Sequence, residues 1–409
     1  MKTSIRLPGV NPSSQGVGRR RRLDWLRGHA AGVEQSTSTH SVSTSTNSVT
    51  SKADRRFFLL FPPFFKPYFG FGERKTIRSE LVPGRIWGFE QEQTLATLSV
   101  NIRCTVVKLD SGGLWVHAPI FPTKEFLRQL DELGPVEHII LPTCAIEHKV
   151  TIAPFSRNYP NAKVWVAPKQ WAIPLDLPLP LLGIPGKNVL GETKAEWQNE
   201  IHLSILELAL GNPFVEVAFF HKATKSLILT DSAVRIPRDA PPVISRDLLL
   251  ETAPDDPKDK GTVESSPAAL QAGWAKTCLL VSYFGPGNNE QIGGFDLKWE
   301  SGYKKSFEAI VNKLLVSPVL RFLVFDKSPE VTRAWVDSVC SWNFNKIIPA
   351  HYDAPIKAGP MDLKIAYSFV YDGLEGSILN ALNRVSLPNV DLKTLKTLEK
   401  TLQDAGLYD

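Results

Sequence analysis

The sequence has no apolar run long enough to cross a membrane. Its longest apolar stretch, 57–65, is nine residues long and contains two prolines, whereas a membrane-spanning helix needs about 20 mostly apolar residues. Residues 1–10 also lack the apolar core of a secretory signal peptide. We therefore predict that the protein is not inserted into a membrane as an integral protein.

Cysteine is scarce and widely spaced. A disulfide framework or a structural zinc cluster normally places its cysteines in close, repeated spacings such as CxxC. The four cysteines form no such pair, and they are Cys104, Cys144, Cys278 and Cys340. We predict reduced thiols in the core and neither a disulfide framework nor a structural zinc cluster.

The chain also lacks a charge excess of one sign once its N-terminal segment is set aside. The formal net charge is +5, but residues 1–52 alone carry +6, so the remaining chain carries −1. A protein that holds a phosphate backbone does so with clustered basic side chains. The balanced charge of the remaining chain therefore argues against a nucleic-acid partner.

The N-terminal segment has the composition of a targeting sequence. Ser and Thr make up twelve of the sixteen residues in 36–51, and the four arginines 19–22 precede them with few acidic residues nearby. Arg-rich, Ser-rich and acid-poor segments are typical of organelle transit peptides. The competing interpretation of residues 19–22 is a nuclear localisation patch. We predict a transit peptide and an apolar, proline-rich linker over residues 1–72.

The rest of the chain alternates between strand and helix patterns, which predicts an α/β protein. A turn with the sequence DSGG joins two strand patterns in a hairpin, and Thr123 can cap the helix predicted over 122–133. The other predicted strands are 136–141, 162–167, 201–208, 214–220, 226–230 and 347–349. The other predicted helices are 306–325, 330–341 and an amphipathic helix from Asp391 onward.

Candidate metal ligands follow three of these predicted strands. Glu147 and His148 come after the strand that ends at Leu141, Asp231 follows 226–230, and His351 follows 347–349. Two imidazoles and two carboxylates are a suitable ligand set for one zinc, iron or manganese ion. No two of these histidines have the spacing of a helical metal motif, so the residues alone leave open a strand-end cap and hydrogen-bonded loop histidines.

Four other side chains are weaker candidates. His117 has either a structural hydrogen bond or a role beside the site, and Cys144 is either a buried structural thiol or a ligand or nucleophile. His221 is predicted to stabilise a turn, and His138 to cover the start of a strand.

Several stretches between about 77 and 374 resemble an uncharacterised family of cyanobacteria, algae and plant plastids within the metallo-β-lactamase-like superfamily. The matching stretches include PGRIWGFEQ, GGLWVHAPIFPTKEFL, FVEVAFFHKATKSLILTD and FNKIIPAHYDAPIKAGP. The resemblance implies an αββα sandwich, in which two facing mixed β-sheets lie between outer helices. It also implies a site at one sheet edge and a location in the chloroplast or another plastid.

The superfamily's paired-metal signature is matched only in part. Its HxHxDH loop aligns with Thr143 to His148, so that Thr143 and Ala145 replace the first two histidines. A third histidine of the first metal is expected near Gly211 or Asn212, where the chain has none. The second metal's ligands correspond to Glu147, His148, Asp231 and His351. The resemblance therefore implies a single-metal site, with Asp231 also orienting the attacking water.

These observations lead to three alternative functions. The first is a hydrolase with one metal ion and an unidentified small-molecule substrate, built on a domain over 73–373 with a helical tail over 374–409. The second is a non-catalytic binding or scaffold module with a protein partner. The third, a redox or oxygen-handling iron site, needs the metal pair of the related flavodiiron proteins, half of which is missing.

Overall fold

Apolar strands in the first half of the folded chain form one large sheet in chain order. The fold is that of a computed structural model, which describes residues 74–95, 98–170, 178–210, 213–283, 287–293 and 296–404. The first four strands pair antiparallel, and the fourth to the seventh pair parallel. The strands are β1 (Ile77–Val82), β2 (Ile86–Leu95), β3 (Leu98–Lys108), β4 (Leu114–His117), β5 (Val136–Leu141), β6 (Lys163–Val166) and β7 (Asn188–Val189).

The later strands are β8 (Ile201–Leu208), β9 (Phe214–His221), β10 (Ser226–Ile228), β11 (Val234–Arg235), β12 (Asn289–Gly293), β13 (Asp296–Trp299), β14 (Leu314–Leu315) and β15 (Lys346–Ile348). Four of them form a second sheet in the order β15, β10, β9, β8. The pair β15 and β10 is parallel, and the other neighbours are antiparallel. Two short ribbons pair β11 with β14 and β12 with β13.

The described part of the chain also forms α-helices, which lie mainly in its second half. Short 3₁₀ turns occur between several elements, for example at Leu179–Leu182 and Phe325–Lys327. The α-helices are α1 (Lys124–Asp131), α2 (Ile146–Lys149), α3 (Ile152–Ser156), α4 (Arg246–Thr252), α5 (Pro267–Tyr283), α6 (Tyr303–Ile310), α7 (Pro318–Leu323), α8 (Pro329–Cys340), α9 (Pro360–Ala366), α10 (Gly373–Leu382) and α11 (Asn389–Asp404).

Three apolar layers show that the two sheets pack face to face between helices. The layer between the sheets contains Trp115 of β4 and Phe219 of β9, whose rings meet edge to face with centroids 5.0 Å apart. On the outer face of the first sheet, α1 and α3 bury Phe126 and Phe155. On the outer face of the second sheet, α8 buries Trp335. The αββα sandwich expected from the resemblance is therefore confirmed.

A further apolar cluster joins the C-terminal helix to the body of the protein. Trp274 and Cys278 of α5 pack there with Phe307 of α6, Phe322 of α7 and the fully buried Leu395 of α11. The amphipathic helix predicted from Asp391 onward is confirmed as α11, and its apolar face is used inside the molecule. The domain boundary predicted after residue 373 stays a prediction.

The predicted helix 306–325 is wrong. Helix α6 ends at Ile310, and Asn312 has a φ of 56°, in the left-handed region that no residue of a continuing α-helix adopts. The chain then forms β14 and begins α7 at Pro318, a residue that favours a first helical turn. By contrast, the helices predicted at 122–133 and 330–341 are confirmed as α1 and α8, with ends that differ by a few residues.

The predicted transit peptide and linker, 1–72, lie outside the described residues. No helix within the described ranges combines the length and apolar character needed to cross a bilayer.

Candidate metal centre

The ends of two neighbouring parallel strands bring Asp231 and His351 together. Beyond β10 and β15 the backbone pairing continues, because Leu229 N–H donates to the Ile348 carbonyl and Ala350 N–H donates to the Thr230 carbonyl, at 3.0 and 3.1 Å. Asp231 directly follows Thr230, and His351 directly follows Ala350. Parallel strands end at the same sheet edge, so both side chains emerge at one place.

His148 reaches the same place from the first sheet. The loop after β5 pairs with β9, since Val217 N–H donates to the Pro142 carbonyl at 3.1 Å and Thr143 forms a bridge with Glu216. This pairing brings α2, which carries His148, over the edge of the second sheet. The centre is therefore assembled across the two sheets.

The three side chains form a compact ligand group. His351 Nε2 lies 3.2 Å from Asp231 Oδ1, and His148 Nε2 lies 3.6 Å from Asp231 Oδ2. One potential ligand atom from each of the three residues lies within 4.8 Å of the other two. His148 is fully buried, whereas the side chains of His351 and Asp231 are 12% and 18% exposed. The group therefore opens to solvent on the side of His351 and Asp231.

The hydrogen bonds of the two imidazoles fit a metal site. His351 Nδ1 is 2.8 Å from the carbonyl oxygen of Asn101 and donates to it, which leaves Nε2 facing Asp231. Neither ring nitrogen of His148 has a hydrogen-bond partner in the part of the chain that the structure describes. Leaving a buried polar group without a partner costs about 1–3 kcal/mol. A cation between His148, Asp231 and His351 would satisfy it, and nitrogen with carboxylate oxygen suits zinc, iron or manganese.

The surroundings of the site shift the pKa values of Asp231 and His351 in opposite directions. Burial alone would raise the pKa of Asp231, but the imidazoles of His148 and His351 outweigh it and hold that pKa well below its usual range. Burial alone would lower the pKa of His351, but the hydrogen bond and charge of Asp231, with smaller contributions from the Asn101 carbonyl and Glu147, raise it. Asp231 is therefore a stable carboxylate, as a metal ligand must be.

Glu147 is not one of the three residues whose ligand atoms come together, although it was predicted as a fourth ligand. It precedes His148 on α2, and successive residues of a helix project about 100° apart. Glu147 is near enough for its charge to raise the pKa of His351. The structure thus brings together three of the four predicted residues.

At the positions aligned with the first metal, the described residues carry no imidazole. Thr143 is fully buried, and its hydroxyl oxygen accepts a hydrogen bond from Ala145 N–H at 3.2 Å, just before α2 begins. Gly211 and Asn212 lie outside the described residues.

Glu216 is a site residue that the sequence interpretation missed. It is fully buried on β9, and its Oε1 accepts from Thr230 N–H at 2.7 Å and from the Ser232 hydroxyl at 2.9 Å. These two residues flank Asp231, so Glu216 contacts the backbone on one side of that candidate ligand and a side chain on the other. An acidic residue inside the apolar run FVEVAFF was the available signal, because a buried strand rarely carries an unpaired charge.

His117 is buried beside the same centre. Its ring stacks on Trp115 and meets Phe219 edge to face, with centroids 5.7 and 5.5 Å apart. Burial, and then the charge of His148, lower its pKa to about 3, against the opposing effect of Asp231. Neither of its ring nitrogens has a hydrogen-bond partner among the residues described. The structural hydrogen bond, one of the two predicted interpretations of His117, is therefore not formed within that part of the chain.

The remaining candidates have structural contacts. His221 Nδ1 lies 2.8 Å from the Thr224 hydroxyl, so its predicted role in stabilising the turn is confirmed. His138 Nδ1 accepts from Trp165 Nε1 at 3.2 Å. Cys144 is buried, and its thiol donates to the Pro213 carbonyl at 3.1 Å.

Comparisons with known proteins relate the chain to several solved structures. It is 12% identical to a metallo-β-lactamase from Hirschia baltica, with a TM-score of 0.33, covering 73% of this chain and 99% of that one. It is 10% identical to a fragment of a putative diflavin flavoprotein from Nostoc sp. PCC 7120, with a TM-score of 0.38, covering 75% and 99%. It is 12% identical to a flavoprotein from Thermotoga maritima, with a TM-score of 0.36, covering 73% and 62%.

The family comparison covers most of the chain, while no curated protein matches it. The match runs over residues 83–369, from the turn before β2 to the segment after α9, and it includes His148, Asp231 and His351. The chain therefore belongs to the family described as Domain of unknown function (DUF4336).

Proposed function

We propose that the protein is a hydrolase with a single metal ion held by His148, Asp231 and His351. The observation that carries this proposal is the buried His148 imidazole, which lacks a hydrogen-bond partner in the described structure and faces the carboxylate shared with His351. When bound, a zinc, iron or manganese ion at such a site polarises a carbonyl or phosphoryl oxygen and lowers the pKa of water. The substrate class is a small molecule with such a bond.

The protein groups have separate roles in this proposal. Asp231 stays ionised near neutral pH because its pKa is depressed. It therefore orients the attacking water by accepting a hydrogen bond from it and does not take up the proton of that water. The Asn101 carbonyl fixes the orientation of the His351 ring. Glu147, predicted as a fourth ligand, is proposed to face the solvent-open side of the group, where its negative charge acts on His351.

Metal analysis tests the proposal directly. We expect gently purified protein to contain about one equivalent of a transition metal, and the variants Asp231→Asn and His148→Ala to contain less than about a tenth of that. Glu147→Gln is expected to retain most of the metal. The control Asp110→Asn changes an exposed carboxylate at a distant ion pair and should behave as the wild type. A wild-type metal content below about a tenth of an equivalent contradicts the hydrolase proposal.

A second candidate function, a non-catalytic binding module with a protein partner, is supported by helix α10. Leu374, Ile378 and Leu382 are 78%, 51% and 52% exposed, and their spacing of four residues puts them on one helix face. An apolar stripe on the surface is a common mark of an interaction site. In this case, substitution of His148 and His351 leaves the cellular function intact. Deletion of residues 391–409 would not test this function, because it also removes Leu395, which is fully buried in the core.

We propose a location in the plastid, because residues 1–72 have the composition of an organelle transit peptide and the family resemblance of the folded chain implies a plastid. Such a segment is expected to direct a fluorescent protein fused after residue 72 to chloroplasts. Replacing the four arginines 19–22 by glutamine distinguishes this address from a nuclear localisation patch, because nuclear import depends on that cluster. Accumulation of the unmodified fusion in nuclei or mitochondria contradicts the plastid proposal.

A further inference from the structure

We propose that Asn101 and Arg103 of β3 are positioning residues that hold His351 in its metal-binding place. This inference rests on the proposed metal centre and extends it to the opposite sheet. Strand β3 belongs to the first sheet, whereas His351 follows β15 of the second sheet. The centre would then depend on a polar clamp between the sheets as well as on its ligands.

The backbone of β3 forms the first part of this clamp. Ile102 makes an isolated bridge with His351, and Arg103 N–H donates to the Ala350 carbonyl at 2.6 Å. His351 Nδ1 donates to the Asn101 carbonyl at 2.8 Å. Both the main chain and the ring of His351 are therefore held by one strand.

The side chain of Asn101 forms the second part. It is fully buried, its Oδ1 accepts from Tyr352 N–H at 2.9 Å, and its Nδ2 donates to the Tyr352 carbonyl at 3.0 Å. Tyr352 has a φ of 59°, in the left-handed region that costs a bulky L-residue free energy. Two hydrogen bonds from one amide thus stabilise an unfavourable turn directly after His351.

The guanidinium of Arg103 forms the third part. It is 1% exposed, its Nη1 donates to the Pro349 carbonyl at 2.6 Å, and its Nη2 donates to the Tyr352 carbonyl. Its Nε donates to Glu90 Oε1 at 2.8 Å, so its charge is neutralised inside the protein. The planar guanidinium reaches all three acceptors at once, which the single ammonium of a lysine cannot do.

A positioning role explains why the polar side chains of Asn101 and Arg103 are buried between the sheets. A buried ion pair adds little to stability when compared with well-packed apolar residues, but it can specify one arrangement of the chain. The contacts of Asn101 and Arg103 converge on residues 349–352, which contain His351. Partners beyond the direct ligands typically change metal affinity by about 10–100-fold when they are replaced.

Zinc binding by Asn101→Ala and Arg103→Lys tests the proposal. The matched control is Gln91→Leu, because Gln91 is a fully buried polar residue adjacent to Glu90 on β2 whose amide binds the Thr76 hydroxyl and the Phe121 carbonyl instead. We expect all three variants to lose thermal stability without metal. Zinc affinity, measured by competition with a chromophoric chelator, should fall at least about tenfold in the first two variants and stay unchanged in the control. Wild-type affinity in Asn101→Ala and Arg103→Lys overturns the proposal.

A measurement without metal separates this inference from the proposed function. In protein labelled with ¹⁵N-histidine, we expect a slowly exchanging Nδ1 proton of His351 in the wild type and in Gln91→Leu. The proton should exchange at least about tenfold faster in Asn101→Ala and Arg103→Lys, because its acceptor is no longer fixed. If wild-type protein binds no zinc, the proposed function fails while this result still supports the clamp. Equal exchange rates in all four proteins overturn the clamp whatever the zinc result.

Discussion

Glu216 is a buried carboxyl group that accepts hydrogen bonds from the residues on both sides of Asp231, from the Thr230 N–H and from the Ser232 hydroxyl. Burial, and then the negative charge of Asp231, raise its pKa from 4.5 to about 8, although bonds from Thr230 and Ser232 oppose this shift. Glu216 is therefore mainly protonated at neutral pH in the folded protein and ionised in the unfolded chain. At the scale of single residues, the centre combines one stable carboxylate with one neutral carboxylic acid.

The higher pKa of Glu216 in the folded state than in the unfolded chain predicts that the free energy of unfolding falls as the pH rises. Between about pH 4.5 and pH 8 the folded state binds the Glu216 proton and the unfolded state does not, so the free energy of unfolding decreases across this window. We expect Glu216→Gln to flatten that decrease in urea unfolding of metal-free protein at about pH 5 and pH 8. The control Glu207→Gln removes an exposed carboxylate on the neighbouring strand β8 and should keep the wild-type slope. An unchanged slope in Glu216→Gln contradicts the prediction.

Helix α1 follows local rules that the sequence makes visible. Its apolar residues recur at helical spacing, and Phe126 and Leu130 are buried against the outer face of the first sheet. The Thr123 hydroxyl accepts a hydrogen bond from Phe126 N–H at 3.1 Å and so caps the first turn. An N-cap satisfies one backbone N–H group that a helix leaves without an internal partner.

Replacement of this cap gives a prediction for a single element. Thr123→Ala is expected to lower the free energy of unfolding by about 1 kcal/mol, because the N–H of Phe126 loses its acceptor. Thr123→Ser keeps the hydroxyl and serves as the control, with most of the stability retained. Urea unfolding of the two variants checks the difference. Equal losses in both would show that the methyl group of Thr123, rather than the cap, is responsible.

Helix α5 shows where local rules are insufficient. It is apolar on most sides, with Trp274, Cys278 and Tyr283 all buried, and no amphipathic stripe marked it as a helix in the sequence. A helix that is apolar all round is buried by tertiary packing. Its Lys276 is also fully buried and donates to the carbonyl oxygens of Ala253 and Pro254.

The candidate metal centre takes its residues from both sheets of the molecule. His148 lies on α2, which follows β5 of the first sheet, and Asp231 and His351 lie at the edge of the second sheet. The clamp from β3 adds further polar contacts between the same sheets. A metal ion that binds all three side chains would therefore link the two sheets and stabilise their packing.

Zinc is accordingly expected to stabilise the folded protein as a whole. At a free concentration about 100 times the dissociation constant, binding adds about 2.7 kcal/mol to the free energy of unfolding and raises Tm. His148→Ala should abolish this shift because it removes the buried ligand. The control His202→Ala removes an exposed histidine of β8 and should leave the shift intact. A rise of equal size in His148→Ala would show that zinc binds elsewhere, which calorimetric scans with and without zinc can decide.

The sequence by itself determined features that depend on neighbours along the chain. Apolar runs predicted most strands of both sheets, helical spacing with the capping residue Thr123 predicted α1, and a helical pattern predicted α8. Because polar residues after buried strands are held by rigid structure, the strand ends already indicated His148, Asp231 and His351. The end of α6 before Asn312 was not visible in the sequence, because Asn is compatible both with a helix and with the left-handed turn that follows α6.

Only the tertiary structure decided which side chains meet. The distances among His148, Asp231 and His351 depend on how two sheets pack, and no local pattern contains that information. The same packing left Glu147 outside the ligand group and brought Glu216 beside Asp231. Contacts between residues far apart in the chain form only when the apolar layers between and outside the sheets are buried together.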